Sequence, residues 1–255
     1  GIINFAYWLA KHDLTYQNIG SEGLQLVDEW AEAWSYYLIK ASADLATEFG
    51  APSGNMETKY GHGITPNQTY KKDLDELIPH VERMDWVTLR EQLKDTGIRN
   101  STLMALMPAE TSAQIANATN GIEPPRSLIS VKQSKHGVLK QVVPEYKRLK
   151  NKYDLLWDQK SPEGYLKIMA VLQKYIDQGI SINTSYNPIF FEDEKIPMST
   201  MLQHMLMFYK YGGKQLYYFN TNDGQGELDV GKMMGELPEL EQSDIDDEDC
   251  ESCKI

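Results

Sequence analysis

The stretch that most limits the fold runs from Arg99 to Arg126, RNSTLMALMPAETSAQIANATNGIEPPR. Ser101 to Met107 read as a short apolar strand, Pro108 breaks it, and Ala109 to Asn117 open a helix of small and hydroxylated residues that ends at Asn120-Gly121. A proline in the first helical turn gives up an N–H that has no partner within the helix anyway. The other first-turn N–H groups and the helix dipole favour negative charge, so a strand running into a helix start is a ready anion site. Thr111 and Ser112 add hydroxyls there, and Ala109, Ala113 and Ala116 keep the helix slim enough for close approach. An ordinary capped helix after a buried strand has the same local pattern, so the segment by itself leaves both readings open.

The rest of the chain repeats the alternation. Residues 3–14 read as a helix, and residues 21–49 as a longer one with Leu24, Val27, Trp30, Ala31, Trp34, Leu38, Ala41 and Leu45 at helical spacing, closed by Gly50. Residues 51–69 are loop-like, with room for a short strand, and short helices are expected over 70–77 and 85–95. Leu128–Val131 and Val138–Val143 flank Lys135-His136-Gly137 as a hairpin. Helices follow over 144–157 and 163–177, a strand over 180–186, a Met-rich helix over 198–211 ended by Gly212-Gly213, and a last strand over 214–221. Strands separated by helices and long crossovers indicate α/β architecture. With four or five strands, it is part of a sheet or barrel and not a closed one.

Charge is concentrated at the end. Net charge is −12, and residues 223–255 hold twelve acidic residues and two lysines, a balance of −10, leaving about −2 for residues 1–222. Dense acid with little hydrophobicity predicts a disordered tail, and the missing basic footprint argues against nucleic-acid binding. No apolar run reaches membrane-span length and no basic-then-apolar leader opens the sequence, so neither a membrane nor a secretory route is expected and the expected location is the cytoplasm. The two cysteines, Cys250 and Cys253, both lie in the tail. That excludes a disulfide framework and a catalytic thiol from the body of this sequence.

Three further features bear on chemistry. Tyr217-Tyr218 lies in QLYYFN, where strand neighbours normally face opposite sides, giving one core and one surface tyrosine. Cys250-Glu-Ser-Cys253 has no second pair or nearby histidine to complete a zinc site. Its acidic neighbours should raise the thiol pKa values, which suits a tethered dithiol better than a fast nucleophile. Methionines 198, 201, 205 and 207 recur at helical spacing, a pattern more often core than binding surface. Histidines 12, 62, 80, 136 and 204 are scattered and read as surface or structural, so no metal is expected.

RNSTLMALMPAETSAQIANATNGIEPPR closely resembles the active-site segment of class Ia ribonucleotide reductase large subunits, and the likeness continues through VVPEY, KYIDQGISINTSYNP, QLYYFNT and CESCKI. The resemblance implies the C-terminal part of a ten-stranded α/β barrel with a disordered acidic tail. It implies that Pro108, Ala109, Glu110, Thr111 and Ser112 hold the diphosphate of a ribonucleoside diphosphate. Tyr217 and Tyr218 would relay a radical by proton-coupled electron transfer. Cys250 and Cys253 would re-reduce the active-site disulfide before thioredoxin or glutaredoxin reduces them in turn; their spacing is shorter than in bacterial members, which puts the tail's redox poise in doubt, not its role. The Met-rich helix would form part of a groove for the small subunit's C-terminal peptide.

These implications set the expected organisation: residues 1–52 a helical segment entering the barrel, 53–98 a small mixed α/β insertion, 99–222 the C-terminal barrel half, and 223–255 a flexible acidic redox tail. The thiyl-radical cysteine would come from an N-terminal large-subunit fragment, as in a subunit split between two polypeptides. No cofactor would be bound by this chain; a diiron-tyrosyl radical is expected in the partner small subunit. A dithiol carrier, or a non-catalytic regulator that binds the small subunit, is the alternative.

Overall fold

Apolar spacing explains the longer helices in the computed structural model, which describes residues 1–134 and 137–222. After α1 (Phe5–Lys11), α2 (Gly20–Phe49) turns Leu24, Val27, Ala31, Ile39, Ala43 and Ala46 inward, and Gly50 ends it with φ 79°. Leu45, expected on the same stripe, is exposed. The inward face also carries Asp28 and Glu32, both almost fully buried. Asp28 accepts hydrogen bonds from Lys174 Nζ at 2.9 Å, Tyr175 Oη at 2.9 Å and Arg83 Nη1 at 3.0 Å. Glu32 accepts from Trp86 Nε1 at 2.9 Å, the Arg83 amide at 2.7 Å and Arg83 Nη1 at 3.0 Å. Buried charge is tolerated only when paired and hydrogen-bonded in this way.

Residues 53–98, expected to mix helix and strand, are helical: 3-10 turns at Asn55–Glu57, Tyr60–His62, Pro66–Gln68 and Lys72–Glu76, then α3 (Trp86–Thr96), which Asp85 caps through the Thr88 amide. Among the described residues the stretch has no strand. The expected helix 109–117 is the shorter α4 (Glu110–Ile115), and the hairpin is β1 (Ile129–Ser134) paired antiparallel with β2 (Gly137–Val142). The expected helix 144–157 shrinks to α5 (Tyr146–Leu149). Beyond it the backbone is committed to other contacts: the Leu156 amide donates to Pro125 O at 2.9 Å, and Asp154 accepts from the Gln17 amide at 2.8 Å.

At the centre, α6 (Glu163–Gln173) is buried on nearly every side, packed against α2 and, later in sequence, α7 (Met198–Lys210). A side chain at Gly164 would lie 2.0 Å from the Tyr16 carbonyl, so only glycine lets the helix and the 14–19 segment meet. The β layer is small. β3 (Asn183–Tyr186) pairs in parallel with β4 (Tyr218–Thr221), and the Tyr217 amide to Ile182 O bond (2.7 Å) extends the pairing. The expected strand 101–107 contributes one parallel bridge, Leu106 to Ile180, on the other side of the same segment. Three parallel segments and a separate hairpin are thus described; these residues do not close a barrel. The Met-rich helix also departs from expectation. Only Phe208 of α7 is buried, while Met198, Leu202, Met205, Leu206 and Tyr209 are exposed. Among the described residues no helix is long and apolar enough to cross a membrane.

Candidate functional site

The turn at Pro108 lies where the Leu106 bridge ends and α4 begins. Ala109 occupies the N-cap position without a side-chain cap, and the first helical bond runs from the Ala113 amide to Ala109 O at 2.9 Å. Pro108, Glu110, Thr111 and Ser112 are exposed and Ala109 partly so. The sequence predicted this helix start; it gave no sign of how the turn is braced. The Ala109 amide donates to Asn120 Oδ1 at 2.8 Å, Asn120 Nδ2 donates to Glu123 Oε2 at 3.1 Å, and Asn183 Nδ2 of β3 donates to Glu123 Oε1 at 2.7 Å. Behind them, Asn4 pairs with Thr119 through the amide–carbonyl bond (2.9 Å) and its own Oδ1, which accepts from the Thr119 amide at 3.0 Å. Gly121, at φ 49°, packs a would-be Cβ 3.2 Å from Met107 O. The -NATNGIE- run thus holds the Pro108 turn against the parallel layer.

Beside the turn is a pocket of about 150 Å³ whose lining includes Glu110, Gln114, Glu123, Gln159, Tyr165 and Asn183. Gln159 Nε2, Tyr165 Oη and Asn183 Oδ1 are buried there without a hydrogen-bond partner. Such groups are costly unless something polar meets them. Burial raises the Glu123 pKa, while the Asn183 hydrogen bond and the Arg126 charge oppose the rise.

The tyrosine pair lies along the same layer, at the edge strand. Tyr217 precedes β4 and Tyr218 opens it; their ring centroids are 4.4 Å apart at 63°, and both are exposed, at 58% and 57%. This corrects the expectation of one core and one surface ring. Backbone at a strand entrance is free of strict alternation, so adjacent rings can meet. The Tyr217 hydroxyl beside Tyr218 raises the Tyr218 pKa.

Of the histidines, His204 clamps elements together: its ring lies within 3.1 Å of Tyr186 Oη and 3.2 Å of Ser161 Oγ, and burial lowers its pKa. Among the described residues no group of three or more His, Cys, Asp or Glu side chains could hold a metal. Cys250, Cys253 and the rest of 223–255 lie outside the described residues, as does Lys135-His136 of the hairpin.

Comparison with known proteins gives the family. Residues 1–219 match the family model described as "Ribonucleotide reductase, barrel domain". The chain is 53% identical to the ribonucleoside-diphosphate reductase subunit alpha of Haemophilus influenzae, over 91% of this chain and 31% of the relative. It is 50% identical to ribonucleoside-diphosphate reductase 1 subunit alpha of Escherichia coli, over 100% of this chain and 32% of the relative. The subunit alpha of Enterobacteria phage T4 is 41% identical over the same shares. The chain spans about a third of the length of these relatives. On the strength of the family match and these identities, the chain belongs to the ribonucleotide reductase family, as part of its large, alpha subunit.

Proposed function

We propose that this chain supplies the C-terminal working parts of a ribonucleoside-diphosphate reductase alpha subunit, which converts ribonucleoside diphosphates to deoxyribonucleoside diphosphates by radical chemistry. The observation that carries the reading is the exposed Tyr217–Tyr218 ring contact, with centroids 4.4 Å apart, on the same parallel layer as the Pro108 turn. Two touching phenols suit sequential one-electron oxidation, each ring losing an electron as its hydroxyl loses a proton. Pro108, Ala109, Glu110, Thr111 and Ser112 bind the substrate diphosphate: the first-turn amides face negative charge, and the hydroxyls of Thr111 and Ser112 add donors.

The remaining roles follow from this one. A thiyl-radical cysteine must come from an N-terminal large-subunit segment, because the sequence has no cysteine before Cys250. The apolar face of α7, exposed at Met198, Leu202, Leu206 and Tyr209, receives the small subunit. That partner carries the diiron-tyrosyl radical, which supplies the oxidising equivalent. Cys250 and Cys253 return two electrons to the active-site disulfide by thiol–disulfide exchange and are re-reduced by thioredoxin or glutaredoxin. The test is co-expression with the N-terminal segment and a small subunit, followed by thioredoxin-dependent CDP reduction. Tyr217→Phe and Tyr218→Phe should each abolish turnover; near-full activity in either variant would refute the relay.

A further inference from the structure

A second cavity, of about 640 Å³, lies at the other end of the parallel segments from the Pro108 turn. Ser101 and Thr102, Ile176 and Asp177, and Gly213 and Lys214, which precede the three parallel segments, all line it. The 58–74 stretch forms the facing wall, and the volume is in the range that holds small organic ligands.

The charge around this cavity is one-sided. Lys59, Lys71, Lys174 and Lys214 line it, and Asp177 is the one acidic residue among the lining residues. Asp177 is already committed, accepting from the Leu103 and Met104 amides at 2.7 and 3.1 Å and from Tyr60 Oη at 2.9 Å. Lys174 is held by Asp28 at 2.9 Å. Lys71 Nζ donates to the Tyr209 carbonyl at 3.1 Å and sits 4.0 Å from the Tyr209 ring centre. Lys59 and Lys214 have no ion-pair partner among the described residues. Removal from water and the nearby Lys59 charge lower the Lys214 pKa, and the Asp177 charge opposes them.

The turn that carries Lys214 is also fixed in place. Gly212 has φ 93° and its missing Cβ would lie 3.2 Å from the Lys71 side chain, while a Cβ on Gly213 would lie 2.2 Å from the Phe208 ring. No other residue type fits this approach, so Lys214 is delivered to the rim by packing and not by a free loop. A concave site lined by four lysines against one carboxylate lowers the energy of a multiply charged anion, and lysine binds phosphate as a point charge. From this juxtaposition of Lys59, Lys71 and Lys214 around a cavity whose one acidic lining residue is Asp177, we propose that the cavity binds a small organic phosphate, separately from the Pro108 turn.

The experiment titrates the full chain with inorganic pyrophosphate and, in a second arm, with AMP. Calorimetry gives affinity, and protection of Lys59 and Lys214 from amine acylation, read by mass spectrometry, gives location. Both ligands should protect both lysines while Lys195 stays reactive. Losing both charges in Lys59→Gln/Lys214→Gln should weaken binding at this cavity by about a hundredfold or more, two charged hydrogen bonds' worth. Lys59→Arg/Lys214→Arg should restore it, and Thr111→Ala/Ser112→Ala should leave it unchanged even if the diphosphate reading of the Pro108 turn fails. Equal affinity in the double Gln variant, with its thermal unfolding unchanged, would overturn the proposal. So would acylation of Lys214 undiminished by saturating pyrophosphate, or binding that emerges only after residues 223–255 are removed, which would assign the cavity to the acidic tail.

Discussion

Replacing Asp28 by alanine should be among the most damaging single changes in the molecule. Its side chain is 1% exposed, and that of its partner Lys174 is 0% exposed. The substitution leaves the ammonium group inside, with no other ion-pair partner among the described residues, and strips the acceptor from the Tyr175 hydroxyl. Arg83 is less affected because it keeps Glu32 and is itself 23% exposed. Breaking a fully buried pair by removing one partner costs about 3–5 kcal/mol, and the orphaned hydroxyl moves the expectation toward the upper end. For a chain of this size that lowers the melting temperature by roughly 6–20 °C. Urea unfolding at neutral pH, read by tryptophan fluorescence, measures it. The decisive comparison is Asp28→Leu/Lys174→Met, which removes both charges and should recover much of the loss, since a buried pair replaced by apolar residues of similar volume is often close to neutral. A loss below about 1 kcal/mol for Asp28→Ala, well under the range for a broken buried pair, would refute the reasoning, as would a double variant no more stable than the single.

Other consequences can be checked in the same way. Burial by itself would raise the Glu32 pKa, but hydrogen bonds from Trp86, Arg83 and Met84 outweigh it and hold the carboxyl below 4.5. Its stabilising contribution is therefore complete above pH 4.5 and lost as the pH falls through the lower folded value; Glu32→Gln should flatten that acid limb in pH-dependent urea midpoints. Gly164→Ala drives a methyl group toward the Tyr16 carbonyl, 2.0 Å from where it would sit, and should cost about 1–3 kcal/mol or more, as overpacking does, measured by thermal unfolding. Asn120→Ala removes the acceptor of the Ala109 amide and a donor to Glu123. It should destabilise by about 1–3 kcal/mol and, in the assembled reductase, raise KM for the nucleoside diphosphate more than it lowers kcat.

The sequence by itself determined most of the inward face of the long second helix, the place of the Pro108 turn and the family. Helical periodicity in 21–49 and the PAETS, QLYYFNT and CESCKI runs are local, and local patterns survive without knowledge of what packs where. It also located the hairpin, because the β-rich runs flank a glycine turn. What it did not determine were features set by distant contacts. Asp28 and Glu32 on a buried helix face look like ordinary surface charges until Arg83 and Lys174 are brought to them from 51 to 146 residues away. The exposed α7 stripe reads as core by spacing, yet exposure depends on what packs against a helix, not on the helix's own period. The shrinkage of 144–157, the meeting of Tyr217 with Tyr218 and the Asn120–Glu123–Asn183 brace were likewise decided in three dimensions. The first depends on bonds to Pro125 and Gln17, and the other two form only once the parallel segments lie side by side.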